Sequence, residues 1–245
     1  AKRILTLQTT NRSFKKKEIT KSPHKVTAIS SALVNYAKSV GRNDAVLIPN
    51  GVNSEEIESA LGWYEKIKGR ILFVGRLEPQ KGVDILLQAL AKFKQENWDL
   101  NIVGDGSQKE ILTKLSQDLG ITERVHFKGY VAPPDVYKEY AQAEIFCGLS
   151  RSEALGNVFL EAQAAGCAVI GTKTGGIPDI VQNGTNGILI KPDNIDMAVE
   201  AIGRLLKDPS QRSKLSSAGK KNAQKYDWGR IAKEYAQVYM EAIKD

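Results

Sequence analysis

Two glutamates separated by seven residues, Glu153-Ala-Leu-Gly-Asn-Val-Phe-Leu-Glu161, carry the most informative chemistry in this chain. They follow an apolar run near Ile145 that reads as a buried strand, and Gly156 between them marks a helix start. The first turn of a helix leaves its backbone N–H groups without internal acceptors. Those of Gly156, Asn157 and Val158 would form a ready anion site. In chain order this gives a carboxylate, a phosphate cradle and a second carboxylate. A carboxylate accepts two hydrogen bonds at once and suits vicinal hydroxyls. A nucleotide sugar presents sugar hydroxyls, a diphosphate and ribose hydroxyls in that same order. Either glutamate alone reads as a loop charge or as compensation for a helix dipole. Flanking a glycine at a strand-to-helix junction, the pair favours the ligand.

The second constellation is Gly75-Arg76-Leu77-Glu78-Pro79-Gln80-Lys81-Gly82, directly after the apolar run 71–74. Gly75 permits a sharp turn and close approach to a ligand, and Arg76 and Lys81 bring two cations to a strand end. Positive charge there would stabilise a leaving nucleoside diphosphate; either cation alone reads equally well as solvated. The loop is not a P-loop, because Gln80 stands where a glycine should precede the lysine. The sequence holds no Asp-x-Asp metal motif, so the two cations are the expected diphosphate partners and no cofactor is expected.

Weaker signals surround these two. Gly104-Asp105-Gly106 begins like a dinucleotide fingerprint, but Lys109 replaces the third glycine, which leaves an NAD-dependent oxidoreductase as a poor third reading. Gly129 and Tyr130 line a base pocket or form a plain turn. Gly175-Gly176-Ile177-Pro178 reads as a flexible turn with proline at a helix start. His24 and His126 are isolated, and His126 is expected to pack within an apolar strand. Cys147 and Cys167 sit in apolar stretches without metal-ligand spacing and are expected to be buried, reduced packing residues of a cytoplasmic protein. The sequons at Asn11 and Asn183 are then expected to be unmodified.

The elements that must hold these residues follow from periodicity. Apolar runs at 71–74, 100–103, 125–127, 145–147, 168–170 and 188–190 alternate with helical stripes. Leu86, Leu87, Leu90 and Phe93 form one stripe; Ile111, Leu112 and Leu115, closed by Gly120, form another. The fold class is therefore α/β, a doubly wound parallel sheet with ligands at the carboxyl ends of its strands. Residues 1–55 offer strands at 4–7, 26–29 and 45–48 and a helix at 31–40, too little to cover a sheet on both faces. They are read as the remnant of another domain or an added edge, and 53–69 as the connection. Ile231, Tyr235, Val238, Tyr239 and Ala242 share one face of a last helix. The expected division is 1–55, 56–227 and 228–245.

Composition narrows the class further. Hydrophobic residues at 42% and charged residues at 26% of 245 describe a folded globular chain, not a disordered one. No run is long and apolar enough to cross a bilayer and none resembles a signal peptide, so a soluble protein is expected. A net charge of +7 and a pI near 9.2 suit anionic partners. The basic residues are scattered, however, and the one tight run, Lys15-Lys16-Lys17, has no interleaved aromatics. That argues against nucleic acid and for a solvated surface.

Taken together, Ile48-Pro-Asn-Gly-Val52, Gly75-Arg76 with Lys81-Gly82, Gly104-Asp-Gly106, Gly129-Tyr-Val131, the Glu153/Glu161 pair and Gly175-Gly-Ile-Pro178 resemble the GT-B retaining glycosyltransferases of family 4, often called group 1. The pieces run in family order over residues 26–243. The resemblance implies two facing Rossmann-like domains with a UDP- or GDP-sugar donor in the cleft, bound mainly by the C-terminal one. It implies transfer with retention and without a metal. It places the diphosphate on Arg76 and Lys81, the donor sugar on Glu153 and the ribose on Glu161. Leu155, Gly156, Asn157 and Val158 take the phosphates, and Gly75, Gly104, Gly129 and Tyr130 complete the nucleotide-binding set. The final helix, 228–243, should cross back to the N-terminal part.

One departure is large. The family's N-terminal domain supplies a glycine-rich loop, an active-site histidine and most of the acceptor site, and only its last strands are matched within 1–52. Neither His24 nor His126 stands at that histidine's place. The chain is thus expected to be a fragment or a natural partial protein, acting on an unknown sugar or lipid acceptor. A basic N-terminal face suggests peripheral contact with an anionic membrane. The alternative is a non-catalytic nucleotide-sugar-binding module that needs a partner subunit.

Overall fold

The computed structural model describes residues 2–9 and 20–244. The Lys15-Lys16-Lys17 run and the Asn11 sequon lie outside the described residues. Three parallel strands open the fold: β1 (Ile4–Leu7), β2 (Lys25–Ala28) and, after helix α1 (Ser31–Ser39), β3 (Val46–Leu47), in the order β1-β2-β3. Helix α2 (Ser54–Leu61) leads to β4 (Ile67–Val74), and strict alternation follows: α3 (Val83–Leu90), β5 (Asp99–Val103), α4 (Lys109–Asp118), β6 (Val125–Gly129), α5 (Val136–Gln142), β7 (Ala143–Cys147), α6 (Asn157–Ala164), β8 (Ala168–Thr172), α7 (Ile177–Ile180) and β9 (Ile188–Ile190). Three helices close the chain: α8 (Ile195–Lys207), α9 (Pro209–Ala223) and α10 (Trp228–Lys244).

Strands β4 to β9 form one parallel sheet in the order β6-β5-β4-β7-β8-β9. Both faces are covered, which is why its strands read as unbroken apolar runs rather than alternating ones. Leu72, Phe146 and Val169 point into a core shared with Ile57 of α2, Tyr140 of α5 and Leu160 of α6. Their neighbours Ile71, Phe73, Ile145 and Ile170 point the other way, onto Leu86 and Leu90 of α3, Leu112 of α4 and Ile202 of α8. Each such side chain contributes about 1.5–3 kcal/mol by leaving water. Strand order reverses between β4 and β7, so the loops leaving these two strands diverge and open a crevice at their carboxyl ends.

Four sequence expectations need correction. Ile111 is 59% exposed, and the buried stripe of α4 runs through Leu112 with Leu115 beside it. His126 does not pack: β6 is an edge strand, and the exposed imidazole lies 4.0 Å from Asp99 Oδ2. Tyr239 is half exposed on α10. The stretch 53–69 is more than a connection. It holds α2, whose start is capped by the Asn53 side chain accepting from the Glu56 N–H at 3.4 Å, and the first residues of β4.

The three-stranded part shares the buried core of Leu72 and Phe146 through Leu7, Val26, Ala28 and Leu33, and further contacts fix the junction. Helix α10 packs Ile231 and Val238 against Ile48. The chain passes between the two parts at Val52 and again at Asp227, and these residues pair side by side, with the Val52 N–H donating to Tyr226 O at 2.8 Å. Gly51 sits under Trp228, where an added Cβ would stand 2.6 Å from the indole ring. Ser30 precedes α1 without capping it; instead Asp179 Oδ2, from α7, accepts the Ser31 N–H at 2.6 Å. No helix among the described residues is long and apolar enough to cross a membrane.

Candidate functional site

Both constellations singled out by the sequence lie at the carboxyl-end crevice, one leaving β4 and the other leaving β7. The strand ends beside them are laced together by backbone. The Gly75 N–H donates to Val103 O at 3.0 Å and the Gly104 N–H to Gly129 O at 2.7 Å. At φ 134°, Gly104 lies so close to Gly75 that a Cβ would collide with the Gly75 carbonyl oxygen. The Gly104-Asp105-Gly106 turn then braces the cationic loop: the Leu77 N–H donates to Asp105 O at 2.8 Å, and the Ser107 hydroxyl to Glu78 at 2.8 Å. Its glycines serve backbone approach.

Lys81 ends a short 3-10 turn, Pro79–Lys81, and reaches across the crevice. Its Nζ lies 2.5 Å from Glu153 Oε2, with both side chains less than one-fifth exposed. The Glu153 loop is held from behind by Gly175 and Gly176. A Cβ on Gly175 (φ 54°) would collide with Glu153 O, and the Gly176 N–H donates to that same oxygen at 3.3 Å. The turn read as flexible is a close-packed seat for the glutamate.

Helix α6 opens at Gly156, as the sequence implies, with no side-chain cap and no acidic residue in its first turn. The N–H groups of Leu155, Gly156, Asn157 and Val158 meet no acceptor among the described residues. What fixes this helix start is Phe159. Its ring stacks edge-on against Phe146, centroids 5.2 Å apart, and fills the space that a Cβ would occupy on Gly148, Gly156 or Gly171, with clearances of 2.8, 2.7 and 2.9 Å. A pocket of about 190 Å³ lies over the helix start. Lys81, Glu153, Leu155, Gly156, Asn157 and Val158 line one side; Gln8, Ile29 and Asn50 line the other. The Asn50 amide donates to Asn157 Oδ1 at 3.2 Å, tying the two walls.

The remaining expected residues do not line this pocket. Arg76 is exposed on the same loop as Lys81 and donates no hydrogen bond within the described residues. Gly75, Gly104 and Gly129 form the neighbouring strand ends, and Tyr130 stands 78% exposed beyond them. Glu161 does not line the pocket. It lies one turn further along α6, on the face of Asn157. There it accepts from the Tyr140 hydroxyl at 2.6 Å. Burial pushes its carboxyl above the usual range, while the Tyr140 bond opposes the shift. Burial, reinforced by the Glu161 charge, pushes the Tyr140 phenol well up in turn. A larger hollow, about 760 Å³ between α3, the end of α4 and the start of α8, contains none of the expected site residues.

Arg151 and Asp179 shape the site and stand outside the stretches singled out by the sequence. Their partners lie far away in the chain, Asp84 for Arg151 and Ser31 for Asp179, and no local pattern links such pairs.

The family model described as "Glycosyl transferases group 1" matches residues 53–222, which include both constellations. An uncharacterised glycosyltransferase of Methanocaldococcus jannaschii is 36% identical over 211 residues, covering 81% of this chain and 54% of that protein. A phosphatidyl-myo-inositol mannosyltransferase of Mycobacterium leprae is 31% identical over 218 residues, covering 86% of this chain and 58% of that protein. The chain thus spans about half the length of the curated relatives it matches. A solved structure of Anabaena HepE in complex with UDP superposes with a TM-score of 0.86 at 23% identity, over 97% of this chain and 72% of that one. That likeness is one of fold.

Proposed function

The chain belongs to the group 1 glycosyl transferases, and from that premise we propose that it is the donor-binding half of a retaining glycosyltransferase using a UDP- or GDP-sugar. One observation carries the reading: four backbone N–H groups at the start of α6, without an acceptor among the described residues, face a pocket closed by the Lys81–Glu153 pair. A diphosphate would accept from those amides and draw Lys81 away from the carboxylate. Glu153, so released, would accept from hydroxyls of the donor sugar. Glu161 and the Gly129-Tyr130 turn would face the ribose and base.

In this reading the bond from the anomeric carbon to the diphosphate oxygen breaks while an acceptor hydroxyl oxygen bonds to that carbon on the same face, and the hydroxyl proton passes to the departing diphosphate oxygen. Arg76, Lys81 and the helix amides stabilise charge building on the leaving diphosphate, at positions fixed beforehand by the fold. No metal is needed for that role. The acceptor in this reading is a sugar or lipid hydroxyl. The division into residues 1–55, 56–227 and 228–245 fits a small part that completes the cleft from the other side.

A thermal-shift titration with UDP, GDP, ADP and NAD tests the donor site. One nucleoside diphosphate should raise the melting temperature with concentration, gaining about 2.7 kcal/mol at one hundred times its Kd. No shift with any of the four would refute the reading at the level of the site.

A further inference from the structure

Arg151 lies two residues before Glu153, yet its side chain turns away from the pocket and under the loop that carries Lys81. Its Nη1 donates to the Pro79 carbonyl oxygen and, at 2.9 Å, to Asp84 Oδ1; its Nη2 donates to Asp84 Oδ2 at 2.7 Å. Its Nε donates to Asp193 Oδ1 at 2.6 Å. The backbone joins in: the Arg151 N–H donates to Gln80 O at 2.7 Å, and the Thr174 hydroxyl donates to Arg151 O at 3.2 Å. Asp193 holds a left-handed backbone at φ 54°, the one non-glycine residue among those described with a positive φ, and its carboxylate meets Arg151.

Two points follow. The guanidinium has five N–H donors in a fixed fork, and four of them are engaged by these partners, which leaves one and no bidentate face for a phosphate. And the loops carrying Lys81 and Glu153 are joined twice, in front by their own ion pair and behind by Arg151. A diphosphate bound in the mode proposed above competes with Glu153 for the N–H donors of Lys81 and so weakens the front link. The rear link is then what keeps both groups over the pocket.

We propose that Arg151 is the positioning residue of the donor site, holding Lys81 and Glu153 in register after their ion pair opens for a nucleoside diphosphate. This rests on the donor-site reading. It assigns Asp84 and Asp193 as the anchors of Arg151, with Asp84 the stronger because it accepts from both terminal nitrogens.

The test uses the purified chain as wild type, as Arg151→Ala, and as the milder Asp84→Asn/Asp193→Asn variant, which keeps the arginine and removes the charge of its anchors. Calorimetric titration with UDP, UMP, GDP and GMP reads what the second phosphate contributes. In both variants the diphosphate should lose about tenfold in affinity while its monophosphate changes by less than about threefold. A general loss of structure would weaken both alike, and that result would overturn the proposal, as would an unchanged ratio. A second readout needs no nucleotide: the rate at which N-succinimidyl acetate acylates Lys81, mapped by mass spectrometry. Acylation samples the moments at which the front pair opens, and without the rear link the two loops then separate further, so Lys81 should react slowly in the wild type and several-fold faster in the variants, other lysines keeping their rates. If the wild type binds no nucleotide, the donor reading fails; Lys81 rates equal in all three proteins would sink the positioning role itself.

Discussion

Lys81 Nζ and Glu153 Oε2 stand 2.5 Å apart over four backbone amides that meet no acceptor among the described residues. A mostly buried cation and a mostly buried carboxylate satisfy each other while the site is empty, and each is then available to a ligand that offers something better. Replacing Lys81 by Met leaves Glu153 without its counter-ion. Urea denaturation of Lys81→Met should show a loss of about 1–3 kcal/mol, the cost of stranding a charged hydrogen-bonding group. Adding Glu153→Gln should recover most of it without recovering nucleotide affinity. No recovery in the double variant would mean the ion pair is not what the single change breaks.

Glu161 makes the opposite kind of prediction, because its ionised form is disfavoured by burial. A carboxyl whose folded value is raised contributes stability fully below its unfolded value and loses it as pH rises through the folded one. At neutral pH the wild type bears that loss. Glu161→Gln should therefore melt higher than wild type near pH 7, the gap narrowing as pH falls towards about 4, where the unfolded carboxyl also protonates. The same change should weaken nucleotide binding by about tenfold or more, as a lost charged hydrogen bond does. A melting temperature equal to wild type across that pH range would contradict the burial argument; unchanged nucleotide affinity would remove the ribose assignment.

Phe159 predicts a stability effect at a distance from any charge. Its ring occupies the space beside Gly148, Gly156 and Gly171, so truncation empties a cavity that backbone cannot readily fill. Phe159→Ala should cost about 3–5 kcal/mol in denaturant unfolding. Phe159→Leu should cost less and still reduce nucleotide affinity, since the start of α6 loses its seat. Full affinity in Phe159→Leu would show that the cradle is held by something else.

Asp179 caps α1 from another part of the chain. Asp179→Ala should lose about 1 kcal/mol, as removal of a capping acceptor does, whereas Asp179→Asn keeps an oxygen at that place and should lose less. Equal losses in the two variants would point to the charge rather than the cap.

The larger sheet was legible because its strands are buried on both faces and therefore spelled out as apolar runs. Residues 188–190 were read to the residue. Strand β4 was read from 71 although it begins at Ile67, since Ile67, Lys68 and Gly69 have an edge-like mixture and a register shift separates Ile67 from Ile71. The Glu153 and Lys81 loops could be found because each follows a strand directly, and a glycine marks each exit. The placement of Glu161 beside Tyr140 could not, because a hydrogen bond between α6 and α5 depends on how two helices dock. His126 misled for a simple reason: an apolar strand at a sheet edge has one face open to water, and nothing local says which strands are edges.

The chain crosses between its two parts only at Val52 and Asp227 among the described residues, and these crossings are paired side by side. Two adjacent tethers act mechanically as one line. Translation and twist of one part against the other would stretch the Val52–Tyr226 hydrogen bond, while rotation about that line leaves it intact. Rotation about that line is the motion these tethers leave unopposed, and the Ser31–Asp179 and Asn50–Asn157 bonds, which join the two parts away from it, are the contacts such a rotation would stretch.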